Sequence, residues 1–302
     1  MAHTLTSAFD MMVLPFAEAV AKGLGPLDQL GVVTSEDVVT KRLVLIEETG
    51  DETAFTDETS AISFSEVKAS TKDFSVTDAV KGFKFSWGQF QDFSPAQIAN
   101  LGTQLGARAA ARCAAAFYTM LEALDSTAHP QAGAGAGQVG GGKMFFDTGL
   151  AGNQTLGTAF SWSNLLHDVL SEGSIKSAIS LMLQQRAYSG EYVQPDLGSL
   201  VLICHPDYAF DAMRIAKSAA LGIDNGINTL FGMFNVHPYP LADADAWYLI
   251  DPAAAPVQLW VRQRPDLIVS ESQEHTHVFM TSRRRAAGTY GLTAHGIVAS
   301  IP

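Results

Sequence analysis

The chain has 302 residues, of which 47% are hydrophobic and 17% charged, with 26 glycines and a formal net charge of −12. That is enough to bury a large core with many turns, while the longest apolar runs fall far short of the ~18–20 residues that span a bilayer, and no basic region precedes the first apolar stretch, so neither a membrane span nor a secretory signal is expected. Two cysteines, Cys113 and Cys204, suit a reducing compartment and read as plain buried residues, and the acidic balance disfavours a surface devoted to nucleic acid, whose phosphates are gripped by clustered Lys and Arg.

Residues 1–40 hold a short apolar stretch around Met11–Val20, which Gly23, Gly25 and Pro26 are expected to end, so this part reads as an arm. From Lys41 to Gln91 the pattern is strand-like: Leu43–Ile46, an acidic tip from Glu47 to Glu58, then Ile62, Phe64 and Val67 among polar neighbours. The simplest structure is a long antiparallel hairpin, which is marginal alone in water and needs another surface to lie on. Its lysines, Lys68 and Lys72 among them, read as solubilising charges.

Phe93-Ser94-Pro95-Ala96-Gln97-Ile98 carries an N-cap, a proline at the first helical position, a capping-box Gln and a hydrophobic staple. Ile98, Leu101, Leu105, Ala109, Cys113, Ala116, Phe117, Met120, Leu121 and Leu124 follow at helical spacing, predicting a rod of ~45 Å at about 1.5 Å per residue with an alanine-rich middle that other elements can approach closely. The tract Gly133–Gly142 contains a literal G-x-G-x-x-G, but no strand precedes it and Gly142-Lys143-Met144 lacks the Ser or Thr of a phosphate loop, so it reads as a flexible connector. Trp162–Leu170 and Ile175–Ala187 read as helical, Ser199–Cys204 as a buried strand and Pro206–Ala219 as a helix.

Trp247–Ile250 and Gln258–Pro265 then read as strands joined by the Pro252–Pro256 turn, with a third strand at Thr276–Met280. His275 and His277 would share a strand face and could hold a metal with a nearby carboxylate, but two histidines are too few for a site. Asp243 and Asp245 could bind a cation or act as an acid/base pair, though capping a turn is the better reading. His205 and Asp207 stand at a strand-to-helix junction, where Pro206 and Asp207 also make an ordinary helix start. No G-x-S-x-G, H-E-x-x-H or C-x-x-C occurs, and no catalytic, cofactor-binding or metal residue is assigned.

The order of arm, hairpin, long helix, inserted α/β region with the turn Leu202-Ile203-Cys204-His205-Pro206-Asp207-Tyr208, and returning strands resembles the α+β capsid fold named after the Hong Kong phage. Phe145-Phe146-Asp147, the Leu165–Gln185 segment, His205-Pro206, and Asp243–Leu249 followed by Trp260 and Arg264-Pro265 look like the major head subunit of Mu-like phages, over roughly residues 90–302. The resemblance implies an N-terminal arm (1–40), an extended hairpin (41–92), a peripheral domain with a spine helix (93–135) and return strands (245–302), and an axial domain (136–244).

It also implies a non-enzymatic major capsid protein of a tailed double-stranded DNA phage or prophage. Copies would close into hexamers and pentamers of an icosahedral shell, assembled in the bacterial host cytoplasm, that encloses DNA without sequence-specific binding. The hairpin would lie across a neighbour. About 40 residues ahead of it leave little room for a fused scaffold, so scaffold and maturation protease are expected as separate proteins, beside a portal and a possible decoration protein. Self-repulsion of an acidic subunit should make raised salt favour assembly, and Arg283-Arg284-Arg285 is expected to pair with acidic groups of another subunit. The alternatives are an encapsulin-like shell around a cargo enzyme and a metal-dependent hydrolase using His205, Asp207, His275 and His277.

Overall fold

The computed structural model describes residues 5–30, 33–34, 40–48, 67–126, 145–147, 150–151, 161–186, 192–218, 220–221, 226–271, 277–287, 290–291 and 295–302. In chain order the elements are helix α1 (Leu5–Gln29), strands β1 (Val33–Thr34), β2 (Thr40–Glu48) and β3 (Val67–Ser86), helices α2 (Trp87–Asp92) and α3 (Pro95–Ala123), and strands β4 (Leu150–Ala151), β5 (Ser161–Trp162) and β6 (Leu165–Leu166). Helix α4 (Glu172–Leu183), β7 (Leu200–Cys204), α5 (Ala209–Lys217), β8 (Ala220–Leu221), β9 (Gly226–Ile227), β10 (Phe234–Pro238) and β11 (Trp247–Ile250) follow, then β12 (Val257–Glu271), β13 (His277–Ala287), β14 (Tyr290–Gly291) and β15 (Ile297–Ser300). Two compact units result: Met1–Lys41, Phe74–Met120 and Gln258–Tyr290, and Arg42–Asp73, Leu121–Val257 and Gly291–Pro302.

In the first unit α1 is longer than the sequence suggests, because it runs on through Gly23, Gly25 and Pro26. Met12, Phe16, Val20, Leu24, Leu27 and Leu30 form one buried stripe. Burying a leucine contributes about 2 kcal/mol, so Leu24, Leu27 and Leu30 together match the ~1 kcal/mol per glycine and ~3 kcal/mol for an interior proline that oppose the last turns. Helix α3 begins as its sequence demands: Gln97 N donates to Ser94 Oγ at 3.3 Å, and Ser94 N donates to Gln97 Oε1 at 2.8 Å. The two helices run side by side, with Gly102 beside Met12, Gly106 beside Phe16, and Gly23 beside Ala110. Small residues at these positions let the backbones approach.

The long strands form a sheet in the order β1-β12-β13-β3-β2, with β14 also pairing β12. Strand β13 lies antiparallel to β3, from His277 opposite Ser86 to Ala287 opposite Val76. The second strand of the expected hairpin is therefore anchored at its root in this chain's own sheet. The expected hairpin tip lies outside the described residues between β2 and β3. Pro265 cannot donate to a ladder, and it falls where the β12–β13 register shifts between Gln263 and Asp266, as a proline inside a sheet should.

The second unit is built on the order β10-β7-β11-β15-β6. Strand β7 is buried at all five positions, so both of its faces are covered. One face, with Leu200, Leu202, Cys204, Trp247, Leu249 and Val298, packs on Ile175, Ala178 and Met182 of α4 and Ala212, Ile215 and Ala216 of α5. On the other face Phe146 packs on Tyr248, ring centroids 5.9 Å apart. Asn164 fixes that aromatic segment: its Nδ2 donates to Phe145 O and its Oδ1 accepts from Asp147 N, both at 2.9 Å.

Asn164 also corrects the helix expected over Trp162–Leu170. With Ala299 N donating to Asn164 O at 2.9 Å, the segment is drawn into sheet pairing as β5 and β6. Helix α4 starts only at Ser171, whose hydroxyl accepts from Ser174 N at 3.1 Å while Ser174 Oγ accepts from Ser171 N at 2.8 Å. Residues 206–217 form a 3₁₀ turn that runs into α5.

Candidate functional site

Of the histidines and carboxylates that the sequence singles out, His205, Asp207, Asp243 and Asp245 are engaged in local contacts. His205 is extended, and its Nδ1 accepts from Asp207 N at 3.3 Å across the first turn of Pro206–Tyr208, the helix start favoured above. Asp243 Oδ1 accepts from Asp245 N at 3.0 Å and closes the turn ahead of β11. The Tyr208 hydroxyl donates to Asp245 Oδ1 at 2.5 Å. That bond, with partial burial and the neighbouring charges of Asp245, Asp207 and Asp243, raises the Tyr208 hydroxyl above the ordinary tyrosine range. Asp243 and Asp245 thus cap a turn and hold a tyrosine.

His277 opens β13 with its backbone opposite Ser86, while His275 and the Gly133–Gly142 tract lie outside the described residues. Among the described residues no group of three or more His, Cys, Asp or Glu is placed to hold a metal, and no helix is long and apolar enough to cross a membrane. Arg283 stands opposite Asp266 of β12, and Arg285 opposite Asp78 of β3. The arginine run therefore has acidic residues at directly facing ladder positions within its own sheet.

What the molecule offers is contact surface. In the first unit α1 and α3 flank a groove of about 590 Å³ lined by Pro15, Glu18, Ala19, Lys22, Gly23, Thr103, Ala107 and Ala111, and Leu14 nearby in sequence is 63% exposed. Between α3 and β3 lies a small cleft with Phe83, Leu105 and Ala109 as apolar lining and Lys81, Arg108 and Arg112 as cations. In the second unit Phe210 on α5 is 84% exposed, with Phe231 and Tyr192 also open to solvent. Sequence reading passed over the cationic cleft. The Arg108/Arg112 spacing of one helical turn was visible, but only the packing of β3 on α3 brings Lys81 to it.

The family model described as phage capsid protein matches residues 69–296. The fold is similar to that of a chain solved from Mycobacterium phage Patience, at TM-score 0.53 and 16% identity, covering 94% of this chain and 85% of that one. It is also similar to the capsid of a native GTA particle, at TM-score 0.56 and 13% identity over 91% and 88% of the two chains, and to a chain from Mycobacterium phage Cain, at 0.51 and 12% over 91% and 90%. At such identities the likeness is one of fold, here the mixed α/β phage capsid fold. The search of curated proteins gives no match. Because the family match spans well over half of its length, the chain belongs to the phage capsid protein family.

Proposed function

We propose that this chain is the major capsid protein of a tailed double-stranded DNA phage or prophage, non-enzymatic, with copies closing as hexamers and pentamers into an icosahedral shell around the genome. The observation that carries this reading is the phage capsid match over residues 69–296. A long α3, long strands β2 and β3, and a compact α/β unit are the parts a Hong Kong phage-type subunit needs. On this reading residues 1–40 are the arm, 41–92 the extended loop, 93–135 and 245–302 the peripheral domain with its spine helix, and 136–244 the axial domain.

The Mu-like affinity rests on Phe145-Phe146-Asp147 and Asp243–Leu249 with Trp260 and Arg264-Pro265. Assembly takes place in the bacterial cytoplasm, with a scaffold, a maturation protease and a portal as separate partners and a decoration protein as a further possible one. Electron microscopy and sedimentation velocity on the same purified sample test the reading. Closed shells, tubes or hexameric rings are the expected result. A compact monomer or dimer at high concentration and high salt would overturn it.

A further inference from the structure

The charge of the chain is unevenly divided between its two units. The first carries 11 Lys and Arg against 10 Asp and Glu, and the second 8 against 21. The net charge of −12 therefore hides a nearly neutral unit, and within it a stretch without acids: between Asp92 and Glu122 the only charged residues are Arg108 and Arg112. Both are exposed and stand one turn apart on α3, a pairing of like charges that weakens a helix slightly unless an anion lies between them. Lys81 of β3 completes the cationic cleft, with its Nζ 5.4 Å from the centre of the Phe83 ring. Among the described residues the ion pairs are made elsewhere, by Glu172 with Lys176, Asp207 with His205, Asp211 with Arg214 and Asp28 with Arg264. The acids of the sheet, Asp78 and Asp266, stand opposite Arg285 and Arg283 in the ladder.

The cleft has a volume of about 30 Å³, room for the oxygens of one anionic group and for no ring. Its apolar lining, Phe83, Leu105 and Ala109, keeps water from one side of the cations and so strengthens their pull on an anion. Two features favour a chain of phosphates over a lone carboxylate. Three cations on two elements can each take a separate phosphate of a continuous backbone, whereas one carboxylate is satisfied by one arginine. Beside the arginines, Ala107, Ala111 and Ala115 are exposed at four-residue spacing, so no long side chain on that strip of α3 holds off a stiff, bulky partner.

We propose that Lys81, Arg108 and Arg112 form a contact for the phosphate backbone of duplex DNA, without preference for sequence. This rests on the capsid reading, which sets a duplex beside the subunit, and it turns the exposed face of α3 towards the genome. Three cations in a chain of net charge −12 make a weak contact, one that holds a duplex loosely and lets it slide.

Fluorescence anisotropy of short labelled duplexes of two unrelated sequences, titrated with the dilute, unassembled full-length chain, tests it. The wild type should bind both equally. Three phosphates neutralised imply a loss of affinity on the order of 40-fold between about 50 and 200 mM salt. Arg108→Gln/Arg112→Gln should bind several-fold more weakly at the lower salt and lose only about 3- to 4-fold over the same range, as one remaining contact requires. Its thermal midpoint should be level or slightly raised, since the like-charge pair is gone. Lys176→Gln/Arg214→Gln, which removes two exposed cations of the second unit, should bind like the wild type. No duplex binding by the wild type at about 50 mM salt, or binding that Arg108→Gln/Arg112→Gln leaves intact, overturns the contact. If the wild type ignores the duplex and the same variant loses assembled fraction, the cleft holds a carboxylate of another protein chain instead. Electron microscopy of the same preparations judges the capsid reading separately. Shells from a wild type that does not bind duplex sink the contact alone, and duplex binding through the cleft by a chain that stays monomeric at high concentration upholds the contact and sinks the capsid reading.

Discussion

Gly102 faces the backbone carbonyl of Met12 with no room for a methyl group between them, and Gly106 stands in the same relation to Phe16. The obstacle is the backbone of α1, which has no rotamer to change. Gly102→Ala would push the two helices apart along the seam that buries Met12, Phe16, Val20 and Leu24. Overpacking of this kind costs about 1–3 kcal/mol, against a helix-propensity gain of about 1. Gly25→Ala is the control, because nothing lies within 4 Å of a Cβ there. Thermal or urea unfolding should show a lower midpoint for Gly102→Ala and an equal or slightly higher one for Gly25→Ala.

A second weak point is Gln185, which is wholly buried beyond the end of α4. Its Oε1 accepts from Gly296 N at 2.7 Å and its Nε2 donates to Ile297 O at 3.1 Å, tying the residues after α4 to the start of β15. Gln185→Leu keeps the volume and leaves a buried N–H and a buried C=O without that partner, at about 1–3 kcal/mol each. A fall of about 2–5 kcal/mol in urea unfolding is expected. A loss below about 0.5 kcal/mol would mean that Gly296 and Ile297 find other partners.

The sequence disclosed most where local chemistry decides the structure. The Ser94/Gln97 capping box, the buried run Leu200–Cys204, the helix start at Pro206 and the strand Trp247–Ile250 are all present. It failed where packing overrode local preference. Helix α1 persists through two glycines and a proline because a leucine stripe is buried, and Trp162–Leu170 is drawn into strands by Asn164 and β15. Nor does local sequence show what faces the arginine run: only the ladder register sets Asp266 and Asp78 opposite Arg283 and Arg285, which leaves the expected pairing with another subunit untouched. The cationic cleft could not be read from Arg108 and Arg112 alone, since its third member is more than twenty residues away on β3.

Both cysteines are fully buried, and burial pushes the Cys204 thiol up to about 11. Attack on an alkylating reagent needs a thiolate that solvent can reach, so neither condition is met at Cys204 in the native state. Iodoacetamide at pH 8 should leave Cys113 and Cys204 unmodified in the folded protein and alkylate both in denaturant, as read by intact mass. Rapid native labelling of Cys204 would mean that β7 opens locally far below the cost of global unfolding.

His295 connects the second unit to pH. Its ring lies 4.9 Å from that of Trp162, and its Nε2 lies 2.7 Å from Arg186 O. Burial lowers its pKa, and the hydrogen bond to the Arg186 carbonyl offsets this only in part; burial also lowers that of His237 on β10. In the unfolded chain each ring titrates near ~6.5. As the pH falls through that value the unfolded state binds protons that the native state resists, so stability decreases towards acid. The contribution is fully present above about pH 6.5 and is lost as the pH falls towards the lowered native values. Urea midpoints should therefore be level between pH 7 and 8 and should decline from pH 6.5 to 5. Acidic groups add to that decline, so the comparison that decides is His295→Gln, which keeps a donor for the Arg186 carbonyl but cannot titrate. Its midpoint should fall less steeply than that of the wild type, and a parallel or steeper decline would show that His295 is not what senses the acid.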